Sequence, residues 1–350
     1  MKFESIESIM DKVRNILTAR ENRLQSILLK EILLNSLRLQ EEDLDTLDLK
    51  LINRANRELR YAFKVFKPYR GIPKVSIFGS ARIKEDDPHY KQAVEFARKL
   101  SKEGYMVITG AASGIMKAGN EGAGKGRSFG VNIHLPFEQS PNEYIIDDPK
   151  LMTFKYFFTR KLLFVMESCA IVLCPGGFGT HDEGFESLTL VQTEKATPRP
   201  ILLMDMPGEN YWEKWDDFVK EQLLGRGMIS PPDISLYRVV NSADAAVEEI
   251  KFFYSTYHSM RQVRDKHVFR LEKELTDENM KELNESFEDI LKEGEFEKTY
   301  ALPEEVNELE IIRKPRIMFS YNHKSAGRIR QMIDRINEMG RTLGESGSEK

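Results

Sequence analysis

Apolar residues recur at helical spacing along the first 66 positions. Ile6, Ile9 and Met10 form one set, Leu24, Leu28 and Leu29 a second, and Ile32 and Leu33 extend it. No glycine or proline interrupts this stretch. The acidic run Glu41–Asp48 predicts a break between helices, and the basic end Lys64–Arg70 reads as a solvated face. The pattern predicts a helical N-terminal extension over residues 1–69, acting as a helical layer or a dimer-packing arm.

The texture changes at Pro68–Pro73. Short, continuous apolar runs now alternate with helical stretches. The runs are KVSIFGS (74–80), YMVITG (105–110), FGVNIHL (129–135), CAIVLCPGG (169–177) and PRPILLMD (198–205), with Tyr237–Asn241 as a further strand. The helical stretches include Tyr90–Ser101 and Phe157–Glu167. Runs that are apolar throughout, rather than alternating, belong in a parallel sheet covered on both faces. The fold class is therefore α/β: a Rossmann-like, doubly wound parallel sheet over residues 70–258, with its ligand site beyond the carboxyl ends of the strands. Residues 259–350 are expected to be a charged helical segment, with ALPEEVNELE as a loop and a strand–helix unit at the end, RIMFSYN (316–322) and Ala326–Met339.

Charge adds little. Among 350 residues, 52 basic side chains face 56 acidic ones, so the chain offers no bulk attraction to nucleic acid or to an anionic membrane. Cys169 and Cys174 flank one buried strand, five positions apart, and are not expected to pair. That usage suits a reducing, cytoplasmic location. The N-terminus lacks a signal-peptide pattern, and no apolar run reaches the ~18 residues that span a bilayer.

The strongest chemical signal is PGGFGTHDE, Pro175 to Glu183, between a buried strand and a helix. Gly176, Gly177 and Gly179 remove side chains, so backbone N–H groups can close on an anion. Thr180 is placed to cap the helix, whose N-terminus favours phosphate. A tight strand-to-helix turn would use the same glycines. Thr180-x-x-Glu183 is also a capping box, which leaves capping and chemistry both open for Glu183.

Arg160 and Lys161 lie in an apolar helical stretch, FKYFFTRKLLFVM, where two cations are costly unless each reaches water or an anion. GSAR (79–82) and TGAASGIMKAGNEGA (109–123) sit at the ends of the first two predicted strands. Gly79, Ser80 and Gly114 there are candidates for close backbone approach to a nucleotide. G-x-G-x-x-G is absent, and GNEGAGKG has Gly126 where a Walker A loop needs Ser or Thr. The six histidines are scattered, with neither HExxH nor a Cys/His set at zinc spacing, and His181 is expected to be merely exposed.

These motifs together resemble the LOG (Lonely Guy) family, once labelled lysine decarboxylases. PGGFGTHDE resembles its PGGxGTxxE signature, with His181 and Asp182 where Leu-Glu is usual. The Arg-Lys pair ahead of the CAIVLCPGG strand is similar in order and spacing to a second signature. IFGSAR and TGAASGIMKAGNEGA resemble its strand-end loops. The resemblance spans about residues 70–255, and GVNIHLPFEQSPN and DEGFESLTLVQTEK resemble a larger bacterial subgroup.

The resemblance implies hydrolysis of the N-glycosidic bond of a nucleoside 5′-monophosphate, giving free base and ribose 5-phosphate. It makes Arg160 and Glu183 the catalytic pair. Gly176, Gly177, Gly179 and Thr180 would hold the phosphate, with Lys161 and Thr189 as further ligand candidates and Glu138, Asn142 and Glu143 as equivalents of the family's nucleotide contacts. It implies no metal or organic cofactor, and a homodimer or larger homo-oligomer. The alternative is a non-catalytic nucleotide or cofactor carrier of the same fold.

Overall fold

A computed structural model describes residues 6–18, 24–135, 140–305 and 308–345. The chain divides into two compact units, with the boundary after Tyr61. In the first unit the leucine-rich stretch forms α1 (Ile6–Thr18) and α2 (Leu24–Glu41), followed by α3 (Thr46–Phe66), whose last turns belong to the second unit. The break falls within the acidic run. Asp45 opens α3 by accepting from the amides of Leu47 (2.7 Å) and Asp48 (2.9 Å), which would otherwise lack acceptors. None of the residues of α2 is buried, and Leu24, Ile27, Leu28, Leu29 and Leu37 are exposed.

In the second unit seven strands form one parallel sheet: β1 (Lys74–Phe78), β2 (Met106–Thr109), β3 (Ser128–Ile133), β4 (Leu151–Phe154), β5 (Ala170–Leu173), β6 (Ile201–Met204) and β7 (Arg238–Val240). Their order is β4-β3-β2-β1-β5-β6-β7. The connecting helices are α4 (Pro88–Lys102), α5 (Ile115–Ala123), α6 (Phe157–Met166), α7 (Phe178–Gln192), α8 (Tyr211–Phe218) and α9 (Ala243–Phe253). β4 was not visible as a strand in the sequence. It is a four-residue edge with one exposed position, too short for periodicity to mark.

The apolar runs divide residue by residue between two cores, as the twofold period of a strand requires. Phe78, Met106, Ile108, Ile171, Leu173, Ile201 and Leu203 pack on one face with Phe164 and Trp212. Val75, Ile77, Val107, Val172, Leu202 and Met204 pack on the other with Phe96, Leu100 and Ile250. Each such side chain contributes about 1.5–3 kcal/mol on full burial, so both helical layers are tied to the sheet. The strand order runs outward in opposite directions from β1 and β5, and this switch point leaves a crevice beyond their carboxyl ends.

Residues 259–350 differ from the charged helical segment expected. β8 (Tyr257–Val263), β9 (Lys266–Leu271), β10 (Leu291–Thr299) and β11 (Arg316–Tyr321) form an antiparallel sheet of order β10-β11-β9-β8. α10 (Asp277–Ser286) and α11 (Ala326–Glu345) supply Leu283, Ile329, Met332, Ile333 and Ile336 to its core. β10, LKEGEFEKT, misleads because it is an edge strand. It buries Phe296, keeps charges along its open edge and breaks register near Gly294. Charged, irregular edges resist pairing with other chains, and the same residues have helical propensity. Both cysteines are free, and among the described residues no helix is long and apolar enough to cross a membrane.

Candidate active site

The crevice at the switch point is stitched from two strand ends. The Ser80 amide donates to the Pro175 carbonyl (3.1 Å), and the Cys174 amide to the Phe78 carbonyl (2.8 Å). That closeness dictates two glycines. A Cβ on Gly176 would lie 2.1 Å from Thr180 Oγ1 and 3.0 Å from the Ser80 nitrogen. Gly114 has φ +63°, and a Cβ there would lie 2.2 Å from the Ser80 carbonyl oxygen. Gly177 and Gly179 differ: a Cβ on either would meet no protein atom within 4 Å. Their bare backbone borders the crevice itself, where a ligand can approach.

α7 starts earlier than the sequence suggests. Gly177 is its N-cap, with no side-chain cap, and Thr180 lies in the first turn, its amide donating to the Gly177 carbonyl (3.0 Å). Thr180 therefore does not cap the helix, and no capping box forms with Glu183. The amides of Phe178 and Gly179 stand at the helix end without intrahelical acceptors, where the helix dipole favours an anion.

Without a capping role, the Glu183 side chain is buried and 3.8 Å from Arg160 Nη2. Burial pushes its carboxyl up to about 7, against the pull of Arg160 and Lys161. The Arg160 guanidinium also lies over the rings of Phe157 (4.9 Å) and Phe164 (5.7 Å). Lys161 is one position on and turns elsewhere. It pairs with Asp182 (2.8 Å) and Glu186 (3.0 Å) along the flank of α7. Burial opposes its charge, but these two carboxylates outweigh that and hold it above its ordinary range.

The cleft, about 730 Å³, is lined by Gly79, Ser80, Arg160, Gly176, Gly177, Gly179, Thr180 and Glu183, together with Arg82 and Met116. Its volume suits a mononucleotide. Five sequence candidates among the described residues do not line it. Gly114 supports the Ser80 loop from behind, Lys161 is neutralised on the flank, and Thr189 is exposed farther along α7. Asn142 is buried and donates to the carbonyls of Ala111 (3.0 Å) and Ala112 (3.1 Å), bracing the loop after β2. Glu143 pairs with Lys117 at 3.0 Å, and Glu138 lies outside the described residues.

One part of the site escaped the sequence altogether. His181 is half-buried rather than merely exposed, and its Nε2 lies 2.7 Å from the Tyr211 hydroxyl. That hydroxyl donates to the Gly176 carbonyl (2.5 Å), so His181 must present an Nε2–H to it. Burial lowers the His181 pKa, which suits a neutral imidazole. The relay anchors the glycine loop from α8, a partner no local motif could reveal. Tyr211→Phe should weaken binding of a phosphate-bearing ligand in the cleft by about 5- to 20-fold, from one lost hydrogen bond of about 1–2 kcal/mol. Calorimetry with a nucleoside 5′-monophosphate, beside a thermal midpoint, checks this, and an unchanged affinity counts against the anchor.

Residues 108–250 match the family described as "Possible lysine decarboxylase". Among solved structures, a structural-genomics protein, TM1055, is 20% identical, with 51% of this chain and 99% of that chain covered at a TM-score of 0.38. The molybdenum cofactor carrier protein of Chlamydomonas reinhardtii is 19% identical, with 51% and 96% covered and a TM-score of 0.36. DNA processing protein A of Helicobacter pylori is 16% identical, with 51% and 79% covered and a TM-score of 0.35. No curated protein matches the chain.

Proposed function

We propose that this chain hydrolyses the N-glycosidic bond of a nucleoside 5′-monophosphate, a reading supported by the match of residues 108–250 to the "Possible lysine decarboxylase" family, which the LOG resemblance ties to a nucleotide-related function. The observation that carries this reading is the buried Glu183 carboxylate facing Arg160 beside an anion-ready helix end. A carrier needs the helix end to hold a phosphate. It has no use for a carboxylate buried at a cost close to that phosphate.

The phosphate sits on the first-turn amides of α7 and the bare backbone of Gly177 and Gly179. The ribose then extends toward Glu183 and Arg160. As the base departs, positive charge grows on the ribose ring. A carboxylate that is expensive to ionise in the unliganded cleft is compensated as that charge appears, so it favours the transition state over the ground state. Once ionised, Glu183 can also take a proton from the water that attacks C1′, and that proton ends on the departing base, so the step closes with ribose 5-phosphate and neutral free base. Arg160 holds the sugar-phosphate in register with its planar fork. Met116, Phe157 and Arg82 also line the cleft and are left to contact the base.

The test is a panel of 5′-monophosphates bearing different bases, incubated with the purified protein while free base is followed by chromatography. Release of base from at least one member is expected. Recovery of the whole panel unchanged rejects the reading.

The same reading includes self-association. Phe158, Leu162 and Met166 form an exposed apolar stripe on α6, and α2 leaves Leu24, Leu28, Leu29, Leu34 and Leu37 exposed. The protein is expected to be a dimer or larger at micromolar concentration, and light scattering giving one chain's mass would refute this.

A further inference from the structure

A second polar cluster lies away from the cleft, on α7's far side and the antiparallel sheet. Glu194 follows α7, His267 lies on β9, and His323 follows β11. One ligating atom from each falls within 4.8 Å of the others. His323 Nδ1 and Glu194 Oε2 are 2.6 Å apart, and the His267 and His323 rings are 5.1 Å apart. None of the three lines the cleft.

A histidine–glutamate hydrogen bond explains part of this arrangement and leaves two features over. His267 is 3% exposed, and its Nδ1 is buried without a hydrogen-bond partner. A buried imidazole nitrogen left unpaired is costly. Glu194 and His323 also both hold left-handed backbone, at φ 59° and 57°. Side-chain-bearing residues keep that conformation when the surroundings fix it, and such positions gather at functional sites.

We propose that Glu194, His267 and His323 form a site for a divalent transition metal of the zinc type, joining the end of α7 to the antiparallel sheet. Two imidazoles and one carboxylate are the donor set that zinc accepts, with water as the fourth ligand. Tetrahedral bonds of about 2.0–2.1 Å put ligand atoms about 3.3 Å apart. The metal replaces the proton between His323 and Glu194, whose contact opens, while the wider separations close by side-chain rotation. The neutral His323 keeps its proton on Nε2. The Tyr321 ring packs against both imidazoles, 5.2 Å from the His267 ring and 4.8 Å from the His323 ring, an outer contact that holds the two rings in place. These residues are far apart in sequence, so no ligand spacing announces them.

The experiment uses the full, untagged chain, stripped with chelator and titrated with zinc chloride by calorimetry, with magnesium chloride as control. One zinc per chain is expected, at micromolar affinity or tighter, with a rise in thermal midpoint that chelator reverses and magnesium does not produce. Two exposed-side variants test the ligands: Glu194→Gln, and His323→Asn, because Asn tolerates left-handed backbone. Each should fold and weaken zinc binding by about tenfold or more. Absence of stoichiometric binding, or zinc affinity unchanged in both folded variants, overturns the proposal and leaves a hydrogen-bonded histidine–glutamate lock.

Discussion

Glu183→Gln should lower turnover of a nucleoside 5′-monophosphate by about 100-fold or more while nucleotide binding persists. The magnitude is that of removing one electrostatic stabiliser of a developing charge in a water-poor site. Binding survives because the phosphate contacts come from the backbone at the start of α7. The capping interpretation predicts otherwise, since glutamine serves a capping box as well as glutamate does. With α7 starting at Phe178, that role is not available to Glu183.

The same substitution has a pH signature. The folded state raises the Glu183 carboxyl from 4.5 to about 7. Between those values the folded chain holds a proton that the unfolded chain has lost, so stability falls as pH rises. The loss is on the order of 3 kcal/mol between about pH 4 and pH 8, and glutamine abolishes it. Relative to wild type, the variant should therefore gain stability as pH increases, whatever its stability at pH 4. Activity moves the other way: wild-type turnover should climb as pH passes through about 7 and the carboxylate forms. Denaturant melts and rate profiles across that range check both. A flat stability difference would mean that Glu183 titrates normally.

The second large effect concerns the phosphate. AMP-like substrates should exceed the matching nucleosides in kcat/KM by about 100- to 10,000-fold. Two or more charge-assisted hydrogen bonds to backbone amides disappear with the phosphate, at about 1.5–3 kcal/mol each. They also position the ribose, so the loss should appear in kcat as well as KM. Comparable turnover of adenosine and AMP would detach the glycine loop from the reaction.

The sheet was readable in the sequence because its central strands are apolar on both faces, and Phe78 or Val172 could belong nowhere else. The glycine loop was readable because its residues are contiguous. The start of α7 was not: a threonine three residues before a glutamate spells the same string whether it caps a helix or lies inside one. Arg160 and Lys161 are neighbours in sequence, but successive helix residues point about 100° apart. One therefore faces Glu183, while the other meets Asp182 and Glu186. The Tyr211 anchor and the Glu194–His267–His323 cluster depend on contacts distant along the chain, which periodicity does not encode. β10 was hidden because a charged edge strand and a charged helix share their composition.

The central claim is that this cleft breaks the bond between base and ribose rather than merely holding the nucleotide. The most direct measurement is a product balance. The wild-type chain and Glu183→Gln are each incubated with an excess of AMP at pH 8, with free base followed by chromatography and ribose 5-phosphate by phosphorus NMR. The account predicts equimolar adenine and ribose 5-phosphate over many turnovers with the wild type, and a rate lower by about 100-fold or more with the variant. Intact AMP recovered from a wild-type protein that binds it would contradict the account.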